Sequence, residues 1–155
     1  MDSSELKRWL LESGASVAGI ADLETLSDYP TLPKNLLSEF RRGISFGIPI
    51  PRGALADVHT GPNPRYLHAY ETVNSLLDHL AMRTANLLEQ TGGKALAIPA
   101  SRTLDKADNR GSLSHKAVAR LGGLGWIGKN ILLVNPEYGP RLRFATVLTD
   151  LELEA

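Results

Sequence analysis

The longest periodic stretch of the sequence runs from about Arg65 to Gln90. Apolar residues recur in it at Leu67, Tyr70, Val73, Leu76, Leu77, Leu80, Leu87 and Leu88. Steps of three and four stack side chains on one face of an α-helix, so the spacing predicts a helix of roughly seven turns. The glycine- and proline-rich loop of residues 52–64 precedes it, and Gly92 and Gly93 stop it. A helix this long cannot bury its stripe on itself. It needs a broad apolar surface, and the rest of the chain must supply one.

The remaining segments read as short strands and short helices. Ser3 or Ser4 can cap a first helix to about Ser13, with Leu6, Trp9 and Leu10 as its stripe and Gly14 as its stop. Strands are predicted at Ala15–Ala21, Gly43–Ile50, Lys94–Pro99, Ile131–Val134 and Arg141–Thr149. A short helix is predicted around Leu36–Phe40, and another at His115–Leu121 capped by Ser114. Asn135–Pro140 reads as the turn of a closing hairpin between the last two strands. The expected fold is α/β of the α+β kind, a mixed sheet with flanking helices. Residues 1–155 are expected to form a single domain.

Composition narrows the chemistry. The chain has no cysteine, so it supplies no disulfide, thiolate zinc site, cysteine nucleophile or iron–sulfur ligand. Lys plus Arg and Asp plus Glu are 17 each, without the basic excess of a general nucleic-acid binder, and direct nucleic-acid binding is not expected. The N-terminus is polar and acidic, and no apolar run reaches the roughly 20 residues of a membrane span. The expected location is the cytoplasm, away from membrane. The neutral total is unevenly spread, however. From Lys94 to Arg143 there are nine Lys or Arg and three Asp or Glu, a bias suited to an anionic ligand. Arg102, Lys106 and Arg110 also read simply as solvated surface.

Gly123-Leu124-Gly125-Trp126-Ile127-Gly128-Lys129-Asn130 fits two nucleotide patterns on paper. Gly123, Gly125 and Gly128 satisfy G-x-G-x-x-G, and Gly123, Gly128 and Lys129 satisfy most of a P-loop. Both patterns must follow a strand and open a helix, because the helix N-terminus and loop amides hold the phosphates. Here the glycines follow a helix and precede a strand, so both are rejected. One remaining reading is structural: a tight connection carrying Trp126 and Ile127 into the core. The other is a backbone loop lining a flat or polar ligand, with Lys129 beside it.

For proton transfer the candidates are Tyr66, His68, Tyr70, His115 and Lys116. Tyr66 and Tyr70 are four residues apart and share a helix face. Packing with a satisfied hydroxyl is the plainer role for both, and a cap or surface role is the plainer one for His115. His68 and His79 lie too far apart along one helix for one metal. Neither H-E-x-x-H nor G-x-S-x-G occurs, so neither a metal site nor a serine hydrolase is expected.

The block from His115-Lys116 to Asp150, with LGGLGWIGKNILLVNPEYGPRLRFATVLTD, resembles the signature of the epoxyqueuosine reductase family and its corrinoid-dependent reductive dehalogenase relatives. Tyr66, His68, Tyr70, Val73-Asn74, Leu77-Asp78 and Ile98-Pro99-Ala100-Ser101 extend the likeness upstream. The resemblance implies a cobalamin-binding domain with a nitroreductase-like, vitamin B12 processing protein-like architecture. It implies reductive corrinoid chemistry fed by 4Fe–4S clusters, which in the family follow in a ferredoxin-like segment. It also implies that Gly123, Gly125, Trp126, Ile127, Gly128, Lys129 and Asn130 line the corrin. Lys129, Ser114, His115 and Lys116 would meet its polar rim, and Tyr66, His68 or Tyr70 would face the reaction.

Two departures qualify the likeness. The family continues past Leu-Thr-Asp into cysteine motifs, whereas this sequence ends at Ala155. It therefore reads as the N-terminal, cofactor-binding part of a longer architecture, whose clusters would come from a missing segment or a ferredoxin-like partner. The family also carries an aspartate before the glycine block as its candidate proton donor. Ala97–Arg102 holds no acid, and Asp105 and Asp108 stand in a different pattern. The family's substrate, an epoxide on a modified tRNA base, is not carried over. An alternative is a non-catalytic module that holds cobalamin, or FMN, for trafficking or sensing.

Overall fold

Asp2, rather than Ser3 or Ser4, caps the first helix, α1 (Ser3–Glu12). Its carboxylate accepts from the Glu5 N–H at 2.8 Å, and the Glu5 carboxylate accepts from the Asp2 N–H at 2.9 Å. A carboxylate pair satisfies two free amides and complements the positive helix end, which a serine hydroxyl does less well. The computed structural model describes residues 1–56, 59, 61, 63–101, 107 and 111–155. After α1 come β1 (Val17–Asp22), β2 (Arg42–Pro49), α2 (Pro64–Gln90), β3 (Ala95–Ile98), α3 (His115–Leu121), β4 (Trp126–Ile127), β5 (Leu133–Val134) and β6 (Leu142–Thr149). Leu36–Glu39 forms a single 3-10 turn in place of the short helix expected there.

β1, β2, β6 and β3 form one sheet in that order, and every ladder in it is antiparallel. β5 does not pair with β6 as the closing hairpin predicted. It pairs with β4, Trp126 opposite Val134 and Ile127 opposite Leu133. β6 instead becomes a central strand, flanked by β2 and β3. The composition of β6, with Phe144, Ala145, Val147 and Leu148 all buried, suits that place better than an outer hairpin.

The period of two along the strands assigns each residue to one of two cores. Ile44, Phe46, Ala145 and Val147 face α1 and α2, where Leu6, Leu10, Val73, Leu77, Leu80 and Leu88 meet them. Leu148, Ile98 and Ala21 face the other way, onto Val118 of α3. The predicted long helix is therefore correct in extent, and its buried stripe is Val73, Leu77, Leu80, Ala81, Thr84, Ala85 and Leu88. Leu67 and Leu76 belong to the outer face and are exposed. No helix among the described residues is long and apolar enough to cross a membrane.

The end of α3 lies directly against β1. A Cβ built on Gly19 would stand 2.2 Å from the Gly122 carbonyl oxygen, backbone against backbone. Gly19→Ala must push α3 off the sheet, and an overpacking cost of about 1–3 kcal/mol is expected in chemical denaturation. Gly53→Ala, where a Cβ meets open space, is the control and should shift stability by less than about 1 kcal/mol. Equal effects would show that the contact does not constrain the fold.

Candidate functional site

β3 pairs with only half of β6, from Ile98 opposite Thr146 to Ala95 opposite Thr149. Beyond Ile98 the chain turns away at Pro99, and among the described residues no strand covers Leu142–Ala145 on that edge. The start of α3 fills the gap incompletely. A cleft of about 260 Å³ remains, walled by Leu132, Leu133, Pro140, Leu142 and Phe144, with Ala100, Ser114, His115, Lys116 and Arg143 as its other lining. Two broader depressions reach the same point. One, of about 350 Å³, shares Ser114 and Lys116 and runs along α3 to Arg120, Ile127 and Ile131. The other, of about 680 Å³, shares Ser114 and lies over Ser27–Leu32, Lys34 and Gly111.

Ser114 caps α3, its hydroxyl accepting from the Ala117 N–H at 3.3 Å, as the sequence predicted. The first residue of the helix, His115, then points onto the sheet. Its Nε2 is 2.8 Å from the Pro99 carbonyl oxygen, and its Nδ1 is 2.9 Å from the Thr146 hydroxyl. A carbonyl can only accept, so Nε2 carries the proton and Nδ1 accepts from Thr146 in the neutral ring. Burial pushes the His115 pKa down, and the Arg143 charge adds to this, against the carbonyl of Pro99 and the carboxylate of Asp78. Both nitrogens are thus spent on joining α3 to β6 and to the end of β3. His115 positions the cleft wall.

Arg143 reaches the cleft from the α2 side of β6. Its Nε donates to Asn74 Oδ1 and its Nη2 to the Tyr70 hydroxyl oxygen, both at 3.2 Å, and the guanidinium lies 4.5 Å from the Tyr70 ring centroid. The same phenol is 3.0 Å from the Ser101 hydroxyl. The Ser101 bond holds the Tyr70 pKa below its ordinary value, and the Arg143 charge and Asn74 assist, with burial opposing them. A phenol oxygen that accepts from Arg143 keeps its own proton to donate. Tyr66 stacks obliquely, its centroid 6.0 Å from that of Tyr70, and His68 is exposed on the same helix. Of the three predicted acids, only Tyr70 is bonded to a cleft residue.

The glycine segment folds as a helix stop followed by the β4–β5 hairpin. Gly123 takes φ +76°, the Gly123 N–H reaches the Arg120 carbonyl at 3.1 Å and the Leu124 N–H the Ala119 carbonyl at 3.0 Å. These are the two bonds of a Schellman stop, and Leu124 packs back on Ala119. Gly125 lies so close to β5 that a Cβ would stand 2.2 Å from the Val134 carbonyl oxygen, and Gly128 faces the Val134 side chain. Asn130 accepts from the Leu132 N–H at 3.2 Å, and Lys129 is exposed. Contrary to the core reading, Trp126 and Ile127 are 53% and 40% exposed, and Ile131 and Leu132 are exposed beside them. Two residues of strand are too few to carry the pair inward. The Asn135 side chain donates to the Leu124 carbonyl at 2.8 Å and fixes the hairpin base instead.

The structure therefore brings Ser114, Lys116 and Ile127 to the joined depressions. Trp126 stands on the neighbouring exposed face, while the glycines mainly serve the fold. Lys116 donates to the Ile131 carbonyl at 2.8 Å. Arg143, Thr146, Asn74 and Ser101 carry no local motif that marks them as site residues, although the basic excess after Lys94 includes Arg143. Arg102, Asp105, Lys106, Asp108 and Arg110 lie outside the described residues. Among the described residues no cluster of three metal-ligating side chains occurs.

The His115 arrangement gives a pH dependence with a definite sign. Its native pKa is lowered from the unfolded value of about 6.5. The unfolded chain holds more protons between the two values, so stability falls as pH falls from about 6.5 towards the native value, and the contribution is whole above about 6.5. His115→Gln should flatten this part of the stability profile in urea melts taken across that range. A variant profile parallel to the parent would contradict the assignment.

No family model matches the chain. An epoxyqueuosine reductase of Gloeobacter violaceus is 44% identical over 57 residues, 37% of this chain and 18% of the relative. One of Listeria monocytogenes is 36% identical over 85 residues, 55% of this chain and 20% of the relative. The matches thus span about a fifth of the curated relatives' length. A catabolic reductive dehalogenase structure superposes on 97% of this chain and 21% of its own, with TM-score 0.79 and 18% identity. An epoxyqueuosine reductase structure covers 97% of this chain and 46% of its own, with TM-score 0.65 and 16% identity. The chain is related in sequence to epoxyqueuosine reductases and has the fold that they and reductive dehalogenases share.

Proposed function

We propose that this chain is the cobalamin-binding domain of an epoxyqueuosine reductase-like oxidoreductase. One observation carries the reading: the two depressions that meet at Ser114, one of them also bordered by Lys116, lie beside an exposed apolar hairpin. A corrinoid is a broad macrocycle with largely apolar faces, an amide-bearing rim and a phosphate-bearing tail. The residues present fit such a group. Leu26, Ile127 and Ile131 offer apolar contact, and Ser114 offers a hydroxyl. Lys34, Lys116 and Arg120 offer positive charge, against Asp28 as the one carboxylate among the described residues that line the two broad depressions. When bound, the corrinoid would supply low-potential electrons. This chain has no cysteine, so those electrons would come from clusters on another segment or a ferredoxin-like partner.

The chain's own residues would hold the ligand and manage one proton. Lys116 would leave the Ile131 carbonyl to meet the ligand rim, freeing the hairpin tip. Tyr70 is the proposed proton donor. Arg143 and Ser101 hold its oxygen from two sides, which stabilises the phenolate left behind. Ala97–Ser101 offers a serine to this site and no carboxylate, so a tRNA epoxide is not part of the proposal.

Titration of the purified chain with hydroxocobalamin, followed by visible spectroscopy, tests the reading. A saturable change to a base-off spectrum is expected. Lys116→Gln should weaken binding about tenfold or more, the size of one charged hydrogen bond. Binding without any cluster-bearing partner able to reduce the bound corrinoid would favour the trafficking or sensing module. No spectral change at any concentration would remove cobalamin from the reading.

A further inference from the structure

We infer that Ser45, Thr146 and His115 form a buried hydrogen-bond relay. It reverses direction when His115 takes a proton, and it keeps α3 fastened to the sheet in both charge states. Ser45 is then a positioning residue. Neither the relay nor its test requires a bound corrinoid, although Ser114 and Lys116, the neighbours of His115, belong to the proposed ligand site.

Ser45 is fully buried, and its hydroxyl has no hydrogen-bond partner among the described residues. A buried hydroxyl without a partner is costly, and an apolar side chain there would avoid the cost. The residue lies beneath α3. Its neighbours on that face of β2 are Gly43, against the Val118 side chain of α3, and Gly47, against that of Phe144. With glycine on either side, Ser45 is the polar group that this stretch of β2 offers to the helix. Across the ladder it pairs with Thr146, which is also fully buried and whose hydroxyl is 2.9 Å from His115 Nδ1. The Ile50 N–H bonds the Arg141 carbonyl, so strand alternation makes Ser45–Thr146 a non-hydrogen-bonded pair, the kind whose side chains stand closer. Cross-strand hydrogen bonds between serine and threonine form at this spacing.

Protonation gives the unpartnered hydroxyl a role. With the ring neutral, the Thr146 O–H donates to Nδ1 and Ser45 is not needed. A proton taken from solvent onto Nδ1 turns that nitrogen into a donor. The Thr146 oxygen must then accept, and its own O–H needs a new acceptor. Ser45 Oγ, directly across the ladder, has its lone pairs unused and keeps its own proton throughout. The Nε2–H bond to the Pro99 carbonyl is the same in both states. Two charges bear on the ring: Arg143 on β6 opposes the proton, and Asp78 on α2 favours it. Lys116, next on α3, turns to the Ile131 carbonyl. The relay supplies the second hydrogen bond that a buried imidazolium requires.

Nitrogen NMR of the histidine rings in the full chain, without cobalamin, is the test, with His115→Gln assigning the signals. At neutral pH the His115 proton should sit on Nε2. As pH falls Nδ1 should gain a proton while the Val118 and Ala119 amides stay protected from exchange. Ser45→Ala should lower the proton affinity of His115 about threefold or more, the worth of one lost hydrogen bond. Its stability should match or exceed the parent's above about pH 6.5, where the ring is neutral whether folded or unfolded. It should lose ground once pH passes the parent's native pKa, because a lower native pKa extends the loss. In a Thr146→Val background, where the relay is already cut, Ser45→Ala should leave the His115 titration unchanged, whereas Thr146→Ser keeps the relay. If Thr146→Val fails to fold, a crystal structure at acidic pH takes its place and should show the Ser45 and Thr146 hydroxyls within hydrogen-bond distance. An unchanged His115 pKa in Ser45→Ala overturns the inference, as does an equal drop in both backgrounds. Hydroxyls still apart in acid overturn it too, as do loss of α3 protection in step with His115 and a ring that stays neutral until the whole chain unfolds. Hydroxocobalamin enters none of these readouts, so failure of the corrinoid reading and failure of the relay are distinguishable.

Discussion

Half of β6 has a neighbour on its outer side and half does not, and the site follows from that inequality. β3 ends at Ile98, opposite Thr146. Had it continued, its next residues would occupy the space beside Leu142 and Phe144, and the cleft would be filled by sheet. Pro99 makes continuation costly, because it has no N–H for the ladder. The proline that ends β3 also presents its carbonyl to His115. One residue thus both opens the cleft and anchors the helix that forms its other wall.

The alternation of a strand then distributes function across two layers. Arg143, Ala145 and Val147 face α2, whereas Thr146 and Leu148 face α3. The Tyr70–Arg143 pair and the His115–Thr146 pair are therefore on opposite sides of one sheet, three residues apart along one strand. Only at the uncovered end of that strand can groups from both layers meet one space. A register slip of a single residue would exchange the layers and separate Arg143 from Asn74 and Tyr70.

The sequence revealed the parts of this arrangement that depend on local rules. The α2 extent, the Ser114 cap and the bounds of α3 follow from periodicity, capping and glycine stops, and they agree with the structure. The partners of β5 and β6 could not be read, because proximity in sequence favoured a hairpin, and burial of Phe144 and Leu148 on a central strand decides otherwise. Trp126 and Ile127 were misplaced for a related reason. Apolar character alone does not distinguish a core residue from one on an exposed hairpin, and here the wall of Gly125 against Val134 fixes the hairpin outward. Arg143 was invisible as a site residue since its role needs Tyr70 and Asn74, about seventy positions earlier.

The neutral composition conceals an uneven distribution of charge along the chain. Acidic residues elsewhere pair with Arg41, Arg42 and Lys94 at the β1–β2 end and the C-terminal turn. Near the start of α3, the Lys116 ammonium donates to the Ile131 carbonyl. Lys116 borders both the cleft and the depression along α3, with one ammonium group between them. A ligand that takes that ammonium from one side lowers the positive potential on the other.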